Sequence, residues 1–91
     1  MTVQEIFNQG KGFLINGQYK ESIDAFSKAL SQGYNPFVAY LCRGLVHLRN
    51  NEIQEAINDF GKAIDVDSSN QRAYYYQGIT FMNKGEYQKA I

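Results

Sequence analysis

The stretch NGQYKESI, Asn16–Ile23, returns twice along the chain, as NNEIQEAI at Asn50–Ile57 and as KGEYQKAI at Lys84–Ile91. The steps from Gly17 to Asn51 and from Asn51 to Gly85 are both 34 residues. Outward from this stretch the same step holds without a gap. Gly10, Gly44 and Gly78 share one phase; Ile6, Tyr40 and Tyr74 share another; Phe13, His47 and Phe81 share a third. On the other side, Ser22, Ala56 and Ala90 align, then Ile23, Ile57 and Ile91. Phe26 aligns with Phe60, Ala29 with Ala63 and Leu30 with Ile64. A fixed period of this size marks an array of stacked supersecondary units.

Each unit reads as two helices. Ile6, Gly10 and Phe13 recur at steps of four and three, which is one face of a helix, and Ile23, Phe26 and Leu30 do the same in the second half. Asn16-Gly17, Asn50-Asn51 and Lys84-Gly85 lie between the halves, where Gly or Asn supplies the left-handed residue that ends a helix. Thr2 with Glu5 forms a capping-box pattern. Asn35 before Pro36 gives a cap followed by proline at the first helical position, and Ser68–Asn70 offer a cap for the fifth helix. The predicted helices run over about 3–16, 20–32, 36–49, 53–66 and 70–84, with another start near 86. A glycine inside a helix costs about 1 kcal/mol relative to alanine. Three in one phase therefore predict a neighbouring helix packed too close for a side chain, and Ser22, Ala56, Ala90, Ala29 and Ala63 suit the facing surface.

Ninety-one residues allow one domain, 1–91. The formal net charge is zero and the charges are interspersed, which argues against a nucleic-acid partner. No apolar run is long enough for a membrane span. The N-terminus lacks the basic and apolar regions of a signal peptide, so a soluble cytoplasmic protein is expected. Cys42 and His47 are the only residues of their kinds. One of each cannot close a zinc site without carboxylates. His47 sits at an aromatic phase and reads as a packed side chain. Asp65 and Asp67 lack the spacing and the closing glutamate of a calcium loop. The glycines follow helices rather than strands, so they form no phosphate loop. The run Tyr74-Tyr75-Tyr76 divides at helical phase between core and surface. No catalytic, metal or cofactor site is read, and the chain is expected to be non-enzymatic.

The unit resembles the tetratricopeptide repeat, in its period and in the placing of Gly10, Phe13, Ser22, Phe26 and Ala29 and their equivalents. The resemblance covers the whole chain: two full units, 3–36 and 37–70, and a partial third, 71–91. It departs from the family pattern at Gln9, Arg43 and Gln77, where leucine is usual, and at Ile6, where an aromatic is usual. It implies an all-α, right-handed α-solenoid of antiparallel helix pairs with its third repeat incomplete. The third unit is expected to continue beyond Ile91, which leaves Tyr74, Phe81, Tyr87 and Ile91 as an uncovered face suited to self-association, by stacking or domain swapping.

The resemblance also implies a concave groove lined by the first helix of each unit, where a protein or peptide partner binds. Carried over by phase, the groove takes Phe7 and Lys11 from the first unit, with Gln4, Asn8 and Leu14 beside them. The second unit supplies Leu41, Cys42 and Leu45, flanked by Val38 and Leu48, and the third supplies Arg72, Tyr75, Tyr76, Ile79 and Met82. Phe7, Leu14, Leu41, Leu48, Tyr75 and Met82 could equally belong to the helix seams. The set is mostly apolar, with charge only at Lys11 and Arg72, which favours an apolar or amphipathic segment. Members that clamp a chaperone's carboxylate tail carry Lys, Asn, Asn, Lys and Arg at five groove phases. Here those phases hold Phe7, Lys11, Cys42, Arg72 and Tyr76, and only Arg72 keeps its charge, so the convergent donors a carboxylate needs are missing.

Overall fold

The computed structural model describes residues 1–90, with side chains described through Gly85. Five helices follow in order: α1 Val3–Ile15, α2 Tyr19–Ser31, α3 Pro36–Arg49, α4 Ile53–Val66 and α5 Gln71–Ala90. The local signals act as their chemistry requires. Thr2 Oγ1 accepts from the Glu5 amide at 3.2 Å, and Glu5 Oε1 accepts from the Thr2 amide at 3.0 Å. Asn35 Oδ1 accepts from the Val38 amide at 3.3 Å, with Pro36 opening α3. Asn70 takes the corresponding role for α5, accepting from the Arg72 amide at 3.0 Å. Gly17 and Asn51 turn the chain with φ of 76° and 63°.

Packing explains why the pairs close. A β-carbon on Gly10 would lie 2.7 Å from the ring of Phe26, and one on Gly44 would lie 2.6 Å from the ring of Phe60. The glycines are therefore the sockets in which those fully buried phenylalanines sit. At the same close approach, the buried Ser22 hydroxyl donates to the Gly10 carbonyl at 2.7 Å. One core gathers around Phe26 with Ile6, Phe7, Ala29 and Val46, and a second around Phe60 with Phe37, Leu41, Ala63 and Ala73. Val46 comes from α3 and Ala73 from α5, so each core is shared between a helix pair and the first helix of the next unit. The array is stitched by these shared cores, as stacked repeats require.

The third unit differs from its expectation. The turn predicted at Lys84-Gly85 is not formed, and α5 continues through it. Glycine permits a left-handed turn but does not impose one. At Gly17 and Asn51 the fold-back is held by a phenylalanine seated on a glycine. Among the described residues nothing lies within 4 Å of the β-carbon position of Gly78, so no such contact holds a reversal at Gly85.

Candidate protein-interaction surface

The first helices α1, α3 and α5 lie in sequence, α1 touching α3 and α3 touching α5. Of the residues assigned to their groove, Phe7 and Leu41 require correction. They are 4% and 6% exposed. Phe7 stacks on Tyr34 at 4.4 Å between ring centroids and meets Phe26 at 5.3 Å. Leu41 belongs to the Phe60 core. Both side chains are consumed by packing and have almost no surface left for a partner.

The remaining assignments keep some or most of their surface. Cys42, Leu45, Tyr76 and Ile79 are partly exposed, although Cys42 packs against the first core and Leu45 and Tyr76 against the second. Tyr76 stacks on Phe60 at 5.8 Å and meets Tyr75 edge-on at 5.6 Å. Tyr75 and Met82 are 66% and 68% exposed, a large apolar area on one helix. Lys11 is exposed and holds its ammonium 5.3 Å from the centroid of Phe7, and Arg72 is also exposed. Burial pushes the Cys42 thiol above its ordinary value, and the charges of Lys11 and Arg72 oppose that rise. A raised thiol stays protonated, which suits packing rather than nucleophilic chemistry.

The assigned self-association residues Tyr74 and Phe81 are 47% and 51% exposed. Tyr87 and Ile91 lie outside the described side chains. A separate hollow of about 260 Å³, lined in part by Ile6, Phe13 and Ala25, opens between α1 and α2, and none of the assigned groove residues line it.

An ionic cluster in the second unit was not anticipated. Arg43 Nε and Nη2 donate to the two carboxylate oxygens of buried Asp59 at 2.8 and 2.7 Å, and Nη1 donates to Ser27 of α2 at 3.1 Å. These bonds to Asp59 raise the guanidinium above its ordinary value. The packed His47 lies in the same seam, its Nε2 3.6 Å from Asp59 and its Nδ1 3.0 Å from Glu52. A glutamate held ionised has only acceptors, so the Nδ1 hydrogen donates to it. The only hint in the sequence is that Arg43 and Asp59 replace Gln9 and Ala25 of the first unit together.

Hydrogen bonds from His47 and Asn50 lower the Glu52 carboxyl below its ordinary value. A carboxyl lowered on folding stabilises the fold above its unfolded value and loses that contribution as pH falls through the folded one. Glu52 is solvent-screened, so its share is under about 1 kcal/mol. Urea midpoints of the parent and Glu52→Gln should therefore differ slightly at neutral pH and converge in acid. A gap that widened in acid would reverse the sign assigned here.

Among the described residues no helix is long and apolar enough to cross a membrane, and no group of three His, Cys, Asp or Glu could hold a metal. Comparison with curated proteins gives no match. The profile of the tetratricopeptide repeat family matches residues 7–57 and 41–91. The two matches begin one 34-residue step apart, the period that aligns Gly10 with Gly44. Repeats of this family generally mediate protein–protein interaction. With helix pairs closed by Gly10–Phe26 and Gly44–Phe60, and with matches spanning nearly the whole chain, the protein belongs to the tetratricopeptide repeat family.

Proposed function

We propose that this chain is a non-enzymatic interaction module whose α1–α3–α5 surface binds an apolar or amphipathic peptide segment carrying acidic groups. The observation that carries the reading is the exposed Tyr75 and Met82 on the helix that also carries the exposed Arg72, with the exposed Lys11 on α1. Cys42, Leu45, Tyr76 and Ile79 supply the apolar floor. Lys11 and Arg72 orient the acids. A contact area this small supports micromolar affinity, on the order of 10⁻⁶ M. The floor gives most of the binding, so salt weakens it only modestly.

Selection from a random peptide library tests this directly. Retained peptides should combine Leu or Phe with Asp or Glu. Binding should fall about tenfold in Lys11→Glu/Arg72→Glu, a loss of about 1.4 kcal/mol, and further in Leu45→Glu/Ile79→Glu, with helicity checked in each. Selection of basic peptides, or equal binding by all three proteins, would overturn the reading.

A second reading is self-association through α5. The half-exposed Tyr74 and Phe81 favour it, because their phase-mates Ile6 and Phe13 are buried and partly buried.

A further inference from the structure

The turn joining α1 to α2 and the turn joining α3 to α4 share one backbone path but differ in chemistry. Each begins with an asparagine at the helix C-cap, Asn16 with φ −85° and ψ 1°, and Asn50 with φ −85° and ψ 9°. The next residue is left-handed in both, Gly17 at φ 76° and Asn51 at φ 63°. In the second turn the Asn50 carboxamide donates to Glu52 Oε1 at 3.0 Å. In the first turn Gln18 stands at the phase of Glu52, and among the described residues the Asn16 carboxamide has no hydrogen-bond partner. Asn16, Gly17 and Gln18 are all exposed, and among the described residues nothing lies within 4 Å of the β-carbon position of Gly17.

We infer that Asn16 is a site of spontaneous deamidation in the folded protein and that Asn50, its counterpart, is not. The Gly17 backbone nitrogen, once its proton has passed to solvent base, attacks Asn16 Cγ. The N–Cγ bond forms, the Cγ–Nδ2 bond breaks and ammonia leaves, closing a five-membered succinimide. Water then opens the ring at one of its two carbonyls. The product is aspartate, or isoaspartate, in which the main chain runs through the side-chain carbons. The net change consumes one water and releases one ammonia, with no oxidant or enzyme. Asn16 is the one asparagine of the chain that precedes a glycine. The missing β-carbon leaves the attacking nitrogen unhindered and the peptide free to rotate. The Gly17 amide donates to the Leu14 carbonyl at 3.1 Å, and a solvent-exposed bond of this kind opens locally without global unfolding.

Either product sets a carboxylate at the C-terminal end of α1, where the helix dipole disfavours it. Isoaspartate also adds a carbon to the main chain between α1 and α2, which disturbs the bond from the Gln18 amide to the Phe13 carbonyl at 2.8 Å. The first helix pair then loosens, and with it the surface that α1 contributes.

Peptide mapping of the full 91-residue chain, aged in mildly alkaline buffer at body temperature, tests this. Trypsin releases Asn16 in GFLINGQYK, Gly12–Lys20, and Asn50 in NNEIQEAINDFGK, Asn50–Lys62. The first peptide should gain about 1 Da and split into aspartyl and isoaspartyl forms, while the second stays unchanged. Gly17→Asn copies the second turn, which already holds a left-handed asparagine. It should slow the gain by about tenfold, because a β-carbon now crowds the nitrogen. Gln18→Glu supplies the carboxylate that holds Asn50 and should slow it a few-fold. Circular dichroism verifies that both variants fold. The isoaspartyl protein should melt roughly 5 °C lower than the parent; an unchanged melting temperature overturns the loosening. No gain at Asn16 in the folded chain overturns the site, and conversion of the same peptide in guanidinium chloride would then mark the Gly17–Leu14 bond as its protection. Equal conversion of Asn16 and Asn50, or an unchanged rate in Gly17→Asn, overturns it as well.

Discussion

Replacing Asp59 by alanine should destabilise the fold by about 3–5 kcal/mol, the cost of breaking a buried ion pair from one side. Asp59 is buried and accepts two hydrogen bonds from Arg43, whose third contact is Ser27 on the preceding pair. Removing the carboxylate leaves a largely covered guanidinium without its counter-charge in the seam between α3 and α4. A chain of this length has only about 5–14 kcal/mol of total stability, so the loss is a large fraction of the whole. The double replacement Arg43→Gln/Asp59→Ala should be much milder, within about 1–2 kcal/mol of the parent. A buried pair exchanged as a unit removes its desolvation cost along with its attraction. The first unit carries the uncharged pair Gln9 and Ala25 at these phases, with Ala25 still in its core although a hollow opens beside it. Urea midpoints for the two single variants and the double give the coupling directly. If the double loses as much as the singles combined, the pair is not coupled, and Asp59 acts through His47 or by packing alone.

Why that cluster escaped the sequence while the helices did not is a matter of what repeats. The turn residues Gly17 and Asn51, the sockets Gly10 and Gly44, and the rings Phe26 and Phe60 occur in phase, so each copy supports the reading of the others. Helices α3 and α4 fall on the residues expected of them, Pro36–Arg49 and Ile53–Val66. Arg43 and Asp59 belong to one unit alone, and a comparison that seeks likeness passes over them. Phe7 and Leu41 fail for another reason. Phase places a residue on a helix face, but the width of the buried arc depends on neighbours such as Tyr34, which stacks on Phe7 from the following segment. At Lys84-Gly85 the local signal was sound but insufficient. The same glycine chemistry serves turn or helix, and the packing that selects the turn in the first unit is a contact between Gly10 and Phe26, distant in sequence.

That dependence on distant contacts makes two glycines of one phase respond oppositely to one substitution. Gly44→Ala should destabilise the chain, while Gly78→Ala should stabilise it by about 0.5–1 kcal/mol. Both replacements gain the same helix-propensity term, about 1 kcal/mol. At Gly78 the new methyl meets nothing within 4 Å among the described residues, so only that gain remains. At Gly44 it would lie 2.6 Å from Cε1 of Phe60. The ring is fully buried and stacked on Tyr76 at 5.8 Å, so a shift away from the methyl disturbs other packing, and either the ring or the α3–α4 spacing must give. Overpacking of this kind costs about 1–3 kcal/mol. Subtracting one variant from the other cancels the helix term and isolates the clash. The two should therefore differ by about 1–3 kcal/mol, and their Tm values by roughly 5–20 °C at this chain length. Equal shifts of the same sign would mean that Phe60 relaxes freely, and that the in-helix glycines are not retained as its sockets.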